Sequence, residues 1–243
     1  MKDSALSGIK VVEYSQEISG PYCARQLADF GAAVIKVEDI EGDSSRKIGP
    51  FPGDVPDIEQ SGLFLAVNTN KFGMTLNLKD RAGREVFKEL IQQADVLVEN
   101  NLRTAMTDLG LDYETLHQLN PRLIYVSVTP FGHTGCYRDY IADELVLAQM
   151  SGIGYYTPGD ADEPHQPPLR AGARLSDVSA GTCAATATMF ALLQRQSSGE
   201  GQHIDVASRE TPMFAGIYNM ALYFYERQKP TRFGGKMPRE PSR

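Results

Sequence analysis

The sequence contains few residues of the kinds that build disulfide frameworks or metal sites. Its 243 residues include three cysteines, which are widely spaced and form no CxxC pair, and four histidines, none at the spacing of metal ligands. The sequence therefore predicts neither a disulfide framework nor a zinc site. Free cysteines of this kind fit a reducing compartment such as the cytoplasm.

Basic patches and long apolar runs are also absent. The formal net charge is -7, and no basic stretch stands out to meet the phosphate backbone of a nucleic acid. No apolar run reaches membrane-spanning length, and the first residues lack the apolar core of a signal peptide. We therefore expect a soluble cytoplasmic protein with no nucleic-acid or membrane partner. A small anionic ligand, held by a few local cations and helix termini, stays compatible with this charge.

Alternating strand and helix patterns predict an α/β fold. Hydrophobic residues make up 42% of the chain and charged residues 23%, as in globular proteins that bury a core. Short apolar runs predict strands at residues 9–14, 33–37, 96–98, 123–128 and 203–207. Helices are predicted at 22–30, 81–92, 113–119, 143–150, 180–194 and 212–225, and loops at 39–62 and 158–168. This order indicates a Rossmann-like parallel sheet with helices on both faces.

Asp177 is the residue of greatest chemical interest. It lies in the stretch Gly172-Ala-Arg-Leu-Ser-Asp-Val-Ser-Ala-Gly181, directly before a long pattern typical of a helix. A carboxylate at a helix N-terminus is favoured by unpaired backbone N–H groups and by the helix dipole. From these residues alone two interpretations stay open. Either Ser176 or Asp177 is an ordinary N-cap, or Asp177 is a catalytic carboxylate.

Several segments along almost the whole chain resemble the family III CoA-transferases, also called the CaiB/BaiF family. This family includes formyl-CoA transferase and related acyl-CoA racemases. No single segment is specific for this family, but the order and spacing of all the segments together are specific. They include Gly20-Pro21, Lys36-Val-Glu38, Gly42-Asp43, Asn70-Lys71, Phe131-Gly132 and Gly199-Glu-Gly201.

The resemblance implies that Asp177 is the nucleophile of a CoA-transferase. In the family mechanism an aspartate attacks the acyl-CoA carbonyl and forms a mixed anhydride. The released CoA thiolate then gives an aspartyl-CoA thioester, and the acceptor acid completes the exchange. Aligned through Ser151-Gly152, Glu144 takes a second acidic position, where it would position substrate or tune Asp177. Alternatively, Asp143 and Glu144 only place favourable charge in the first turn of a helix.

The resemblance also implies which residues bind coenzyme A. Lys79 would meet a CoA phosphate as a point charge, or it is simply an exposed lysine at the start of a helix. Relatives often continue Glu-Asn with Phe-Arg-Pro-Gly, whereas this chain reads Asn101-Leu-Arg-Thr104. The resemblance implies no metal, and the candidate CoA-binding residues are Gln16, Ser19, Leu76, Lys79, Asn100 and Arg103.

Three functions stay open at this point. The first is CoA transfer from an acyl-CoA to a small carboxylic acid, and the second is a non-catalytic CoA-binding fragment or subunit that needs a partner chain. The third, an acyl-CoA racemase, is weaker because Asp143 stands where racemase relatives carry a histidine. Relatives form interlocked dimers and continue into a second, smaller domain. We therefore expect a homodimer, a large CoA-binding domain over residues 1–225, and a linker to a missing second domain over residues 226–243.

Overall fold

The computed structural model describes residues 4–156, 167, 169 and 172–227. These residues form a six-stranded sheet in which every neighbouring pair is parallel. The strand order is β3-β2-β1-β4-β5-β6, which is that of the Rossmann fold. The predicted fold class is thereby confirmed. The strands are β1 (Lys10–Tyr14), β2 (Ala33–Glu38), β3 (Phe72–Thr75), β4 (Val96–Glu99), β5 (Ile124–Thr129) and β6 (His203–Ala207).

Helices cover both faces of the sheet, as predicted. Val11 and Val12 of β1 point to opposite faces, because side chains alternate along a strand. Val11 belongs to an apolar cluster with residues of helices α1 (Ser19–Asp29) and α7 (Leu175–Ser198). Val12 belongs to a cluster with residues of helices α3 (Arg81–Gln93) and α5 (Tyr113–Leu119). None of the helices in the described residues is both long and apolar enough to span a membrane. The helices are α1 (Ser19–Asp29), α2 (Gly62–Asn68), α3 (Arg81–Gln93), α4 (Ala105–Asp108), α5 (Tyr113–Leu119), α6 (Glu144–Met150), α7 (Leu175–Ser198) and α8 (Ile217–Ala221).

Four regions differ from the sequence-based prediction. The structure adds α2, the short α4 and the edge strand β3, and the predicted helix at 212–225 is a 3-10 turn, the short α8 and a π-helical turn. Phe72 of β3 is 69% exposed, so this strand lacks the buried apolar run that marks the others. The predicted loop at 158–168, apart from residue 167, and the predicted linker beyond residue 227 lie outside the described residues.

Helix α7 approaches α1 closely at Gly181. A Cβ atom at this position would lie 2.6 Å from the carbonyl oxygen of Ser19 and 3.1 Å from the backbone nitrogen of Cys23. Only a glycine permits this separation, because real Cβ atoms do not approach backbone so closely. The contact holds the N-terminal turns of the two helices together, and it brings Asp177 to the loop that follows β1.

A network of four buried charges lies under that loop. The Lys36 Nζ atom is 2.9 Å from Glu13 Oε1 and 2.8 Å from Asp43 Oδ2, and Lys71 Nζ is 2.7 Å from Glu13 Oε2. Each of these side chains is at most 2% exposed. Lys36 also donates to the Ser15 carbonyl at 2.9 Å. The two positive and two negative charges compensate one another, which buried ions require.

Removal of one member of this network should destabilise the fold strongly. Lys36→Met would leave two buried carboxylates without their shared partner, so we expect the free energy of unfolding to fall by about 3–5 kcal/mol. The matched control is Lys88→Met, which removes only the surface pair between Lys88 and Glu85 at 3.5 Å and should cost less than about 1 kcal/mol. Urea denaturation measures both. Equal losses in the two variants would contradict a compensated network.

Candidate active site

A cavity of about 280 Å³ opens at the carboxyl ends of the central strands β1 and β4. The strand order changes direction between these two strands, and open α/β sheets bind their ligands in the crevice at this point. Residues from several separate parts of the chain meet there. They include Gln16, Glu17, Ser19, Asn100, Asn101 and Asp177.

Asn100 holds the loop that follows β1. Its Oδ1 accepts a hydrogen bond from the Gln16 N–H at 2.8 Å, and its Nδ2 donates to the Gln16 carbonyl at 2.7 Å. The same Nδ2 donates to Ser19 Oγ at 3.1 Å. The structure therefore brings together three of the predicted CoA-binding residues. The amide of Asn100 is engaged with the loop, while the exposed Gln16 side chain faces the cavity.

Asp177 lies in the first turn of α7, at the edge of the cavity. The helix begins at Leu175 and its N-cap is Arg174, so the interpretation of Ser176 or Asp177 as the N-cap is wrong. The Asp177 side chain is 18% exposed. This carboxylate is thus partly removed from water while one side of it still faces the open space of the cavity.

Glu144 fastens the start of α7. Its two carboxylate oxygens accept hydrogen bonds from the Ser176 N–H at 3.1 and 3.0 Å, and Oε1 also lies 3.2 Å from Ser176 Oγ. The neighbouring Asp143 is the N-cap of α6 and accepts from the Val146 N–H at 3.0 Å. The two acids therefore act separately: Asp143 caps its own helix, and Glu144 reaches across to the helix that carries Asp177.

The electrostatic surroundings of Asp177 favour its protonated form. Burial raises the pKa of Asp177 to about 6, and the carboxylates of Glu144 and Glu17 add to the rise while Arg174 opposes it. The helix N-terminus by itself would favour the ionised carboxylate. Burial and two like charges act in the opposite direction and dominate. At neutral pH the group is still mostly ionised, but it is more basic than a free aspartate.

Sequence reasoning missed two charged residues of this site. The Nη1 atom of Arg174 lies 3.0 Å from Glu17 Oε2 and 3.8 Å from Asp177 Oδ2. Arg174 stands inside the motif around Asp177, and Glu17 directly follows Gln16. No local pattern pairs them, because 157 positions of sequence separate the two residues.

The other predicted CoA-binding residues lie outside this cavity. Leu76 packs against the apolar cluster of α3 and α5, and Lys79 is exposed beyond the edge strand β3. Arg103 pairs with Asp139, with 2.7 Å between Nε and Oδ1, and lines a neighbouring cavity of about 310 Å³. Leu102, Pro130 and Ile141 border both cavities. CoA binding by these residues stays a prediction.

Residues 6–243 match the family described as CoA-transferase family III. The chain belongs to this family. It is 37% identical over 236 residues to a succinate–glutarate CoA-transferase from Agrobacterium fabrum, covering 96% of this chain. It is 37% identical over 218 residues, or 90% of this chain, to a subunit of succinyl-CoA:(R)-benzylsuccinate CoA-transferase from Thauera aromatica.

A solved structure shares the fold at comparable identity. A CaiB/BaiF family protein from Brucella suis superposes with a TM-score of 0.86, at 34% identity and over 95% of this chain. The chain spans only part of these relatives: 58% of the Agrobacterium protein, 52% of the Thauera subunit and 60% of the Brucella structure. Within the described residues of this chain, no group of three or more His, Cys, Asp or Glu side chains could hold a metal ion.

The raised pKa of Asp177 predicts a pH-dependent stability difference. The pKa in the folded chain, about 6, lies above the ordinary value of 3.8. The folded state therefore gains stability from this group at low pH and loses it as pH rises through 6. Asp177→Asn removes this titration. The free energy of unfolding of the variant, taken relative to that of wild type, should therefore rise by about 2 kcal/mol between pH 4.5 and pH 8. Urea unfolding at the two pH values measures this, and a constant difference would contradict the raised pKa.

Proposed function

We propose that this protein transfers coenzyme A from an acyl-CoA donor to a carboxylic acid acceptor, with Asp177 as the covalent nucleophile. The observation that carries the proposal is the position of Asp177 at the carboxyl ends of β1 and β4. There a partly buried carboxylate with a pKa of about 6 borders an open cavity. Family membership and the names of the relatives support the reaction class.

The proposed chemistry proceeds in four balanced steps. The Asp177 carboxylate attacks the thioester carbonyl, the C–S bond breaks, and CoA leaves as a thiolate from a mixed anhydride. The thiolate then attacks the aspartyl carbonyl of this anhydride, which releases the donor acid and leaves an aspartyl-CoA thioester. The acceptor carboxylate attacks that thioester and displaces the thiolate. Attack of the thiolate on the acceptor carbonyl finally gives the new acyl-CoA and frees Asp177.

The environment of Asp177 suits this nucleophilic role. Hydration weakens a carboxylate as a nucleophile, and partial burial removes part of its hydration shell. The raised pKa makes the carboxylate more basic while most of it stays ionised at neutral pH. Glu144 contributes in two ways: its charge raises the pKa of Asp177, and its hydrogen bonds to Ser176 fix the turn that presents the nucleophile.

The names of the relatives support a substrate class. Succinate, glutarate and benzylsuccinate are all dicarboxylic acids. We therefore propose dicarboxylic acids as acceptors and their CoA thioesters as donors. The CoA moiety would extend from the cavity at Asp177 toward the neighbouring cavity lined by Arg103, because the two cavities share part of their lining.

A second candidate function is that of a CoA-binding subunit that acts only with a partner chain. The observation in its favour is that one relative, that from Thauera aromatica, is itself named as a subunit of a transferase. The two functions differ in whether this chain forms a covalent intermediate by itself.

Peptide mapping tests the nucleophile directly. The chain is incubated with succinyl-CoA or glutaryl-CoA, quenched with hydroxylamine and digested with trypsin. Cleavage after Arg174 and Arg195 gives a peptide, residues 175–195, in which Asp177 is the only acidic residue. We expect a hydroxamate on this peptide, because hydroxylamine attacks the aspartyl carbonyl of the covalent adduct and displaces the donor acid or CoA. In Asp177→Asn the adduct should fall at least about 1000-fold, as for removal of other covalent nucleophiles.

The matched control is Asp143→Asn. This variant also removes an acid close to the site, but asparagine is an equally good N-cap, so labelling should persist. An adduct that forms only after a partner chain is added would support the subunit function. Exchange of the α-proton of the acyl group with solvent, without any adduct, would support a racemase. Labelling that is unchanged in Asp177→Asn would contradict the proposed nucleophile.

A further inference from the structure

An ion pair between distant parts of the chain lies at the rim of the active-site cavity. The Arg174 Nη1 atom is 3.0 Å from Glu17 Oε2, and the two side chains are 33% and 48% exposed. The same Nη1 atom is 3.8 Å from Asp177 Oδ2. That distance is too long for a good hydrogen bond, but it is short enough for a direct charge interaction. One guanidinium is therefore shared between two carboxylates, with the nearer contact to Glu17.

The position of Glu17 is set by the buried charge network. Its backbone has a φ of 61°, a left-handed conformation that costs a non-glycine residue about 1–2 kcal/mol. Its N–H donates to Asp43 Oδ1 at 3.0 Å, and Asp43 is itself held by Lys36 at 2.8 Å and by the Ser45 N–H at 2.8 Å. A strained residue that is fixed in this way at a cavity rim indicates that the direction of its side chain matters.

Three charged groups act on Asp177, each from a different side. Glu144 approaches from α6, Glu17 from the loop after β1, and Arg174 from the residue directly before α7. Of these three groups, Arg174 is the cation. We propose that Arg174 and Glu17 form a positioning pair that sets the charge state of Asp177. Glu17 holds Arg174 at a fixed distance, so that the guanidinium offsets part of the repulsion from Glu144 without binding the nucleophile tightly.

This role rests on the proposed function of Asp177, and it predicts opposite effects for the two partners. Loss of the Arg174 charge would leave Asp177 facing two carboxylates, so the pKa of Asp177 should rise. Loss of the Glu17 charge would remove one like charge and release Arg174 toward Asp177, so its pKa should fall. A pair that served only to hold the fold would not move the pKa of Asp177 in opposite directions.

The experiment is a ¹³C NMR titration of the aspartate side-chain carboxyls in the full chain, with the Asp177 signal assigned by its loss in Asp177→Asn. We expect Arg174→Gln to raise the pKa of Asp177 by about 1 unit and Glu17→Gln to lower it by a similar amount. Arg174→Lys, which keeps the charge, should stay closer to wild type than Arg174→Gln. Arg81→Gln, at an exposed position in α3, is the control and should leave the pKa unchanged.

Labelling of Asp177 as a function of pH provides the second measurement. The pH at which labelling is half-maximal should move in the same direction as the NMR pKa of Asp177 in each variant. In Arg174→Gln trypsin cuts after Arg170 instead, and the peptide 171–195 still contains Asp177 as its only acid. Shifts in the same direction for both variants, or shifts below about 0.3 unit in both, would overturn the proposal.

The two proposals fail in different ways. If wild type takes no label, either alone or with a partner chain, but the NMR pKa values shift in opposite directions, the nucleophile is wrong and the positioning pair stands. If wild type is labelled and the pKa values do not shift, the nucleophile stands and the pair is wrong. If Arg174→Gln does not fold, the Glu17→Gln titration decides alone: a pKa of Asp177 that fails to fall would overturn the proposal.

Discussion

The carboxylate of Glu13 lies inside the protein between two lysines, and the shape of the cavity rim beside Asp177 depends on this contact. An uncompensated charge at this depth would be strongly unfavourable. Lys36 satisfies Glu13 and at the same time binds Asp43 and the Ser15 carbonyl. Asp43 in turn holds the backbone of Glu17. The loop after β1 therefore takes its conformation from ions buried beneath it, in addition to its own turn residues.

The start of α7 is attached to three different elements. Gly181 brings it against α1, Glu144 connects it to α6, and Arg174 ties it to the loop after β1. Each attachment uses a different kind of interaction: backbone packing, hydrogen bonding and charge pairing. The direction of the Asp177 side chain is consequently fixed by the surrounding fold, and the helix propensity of its own segment contributes little to it.

The sequence predicts those parts of the fold that have strong local signals. The strands β1, β2, β4, β5 and β6 are apolar runs between turn residues, and all five are found close to the predicted residues. The edge strand β3 escapes prediction because Phe72 and its neighbours are largely exposed, and exposed edge strands show no continuous apolar pattern. Helix α2 escapes because it follows a long stretch without periodicity, and its N-cap, Ser61, falls within the predicted loop.

The sequence predicts those residues of the candidate site that stand in a local motif of their own. The motifs single out Asp177 and Glu144, and the structure places their carboxylates close enough to interact electrostatically, while their catalytic roles stay predictions. The predicted N-cap of α7 was wrong because a serine or aspartate before a helical pattern is the usual cap. In the structure the helix begins earlier, and Glu144 from α6 accepts the hydrogen bond of the Ser176 N–H. The partnership of Glu17 with Arg174 could not be predicted, since it exists only after β1 and α7 meet.

The long separation of Glu17 and Arg174 also has a consequence for biosynthesis. The chain is made from its N-terminus, so β1 and its loop emerge well before the residues of α7. The first five strands can pair while Glu17 still faces water and Asp177 has not been added. Contacts of such long range form late and slowly. Asp177 therefore acquires its surroundings only after strands β1 to β5 have been made.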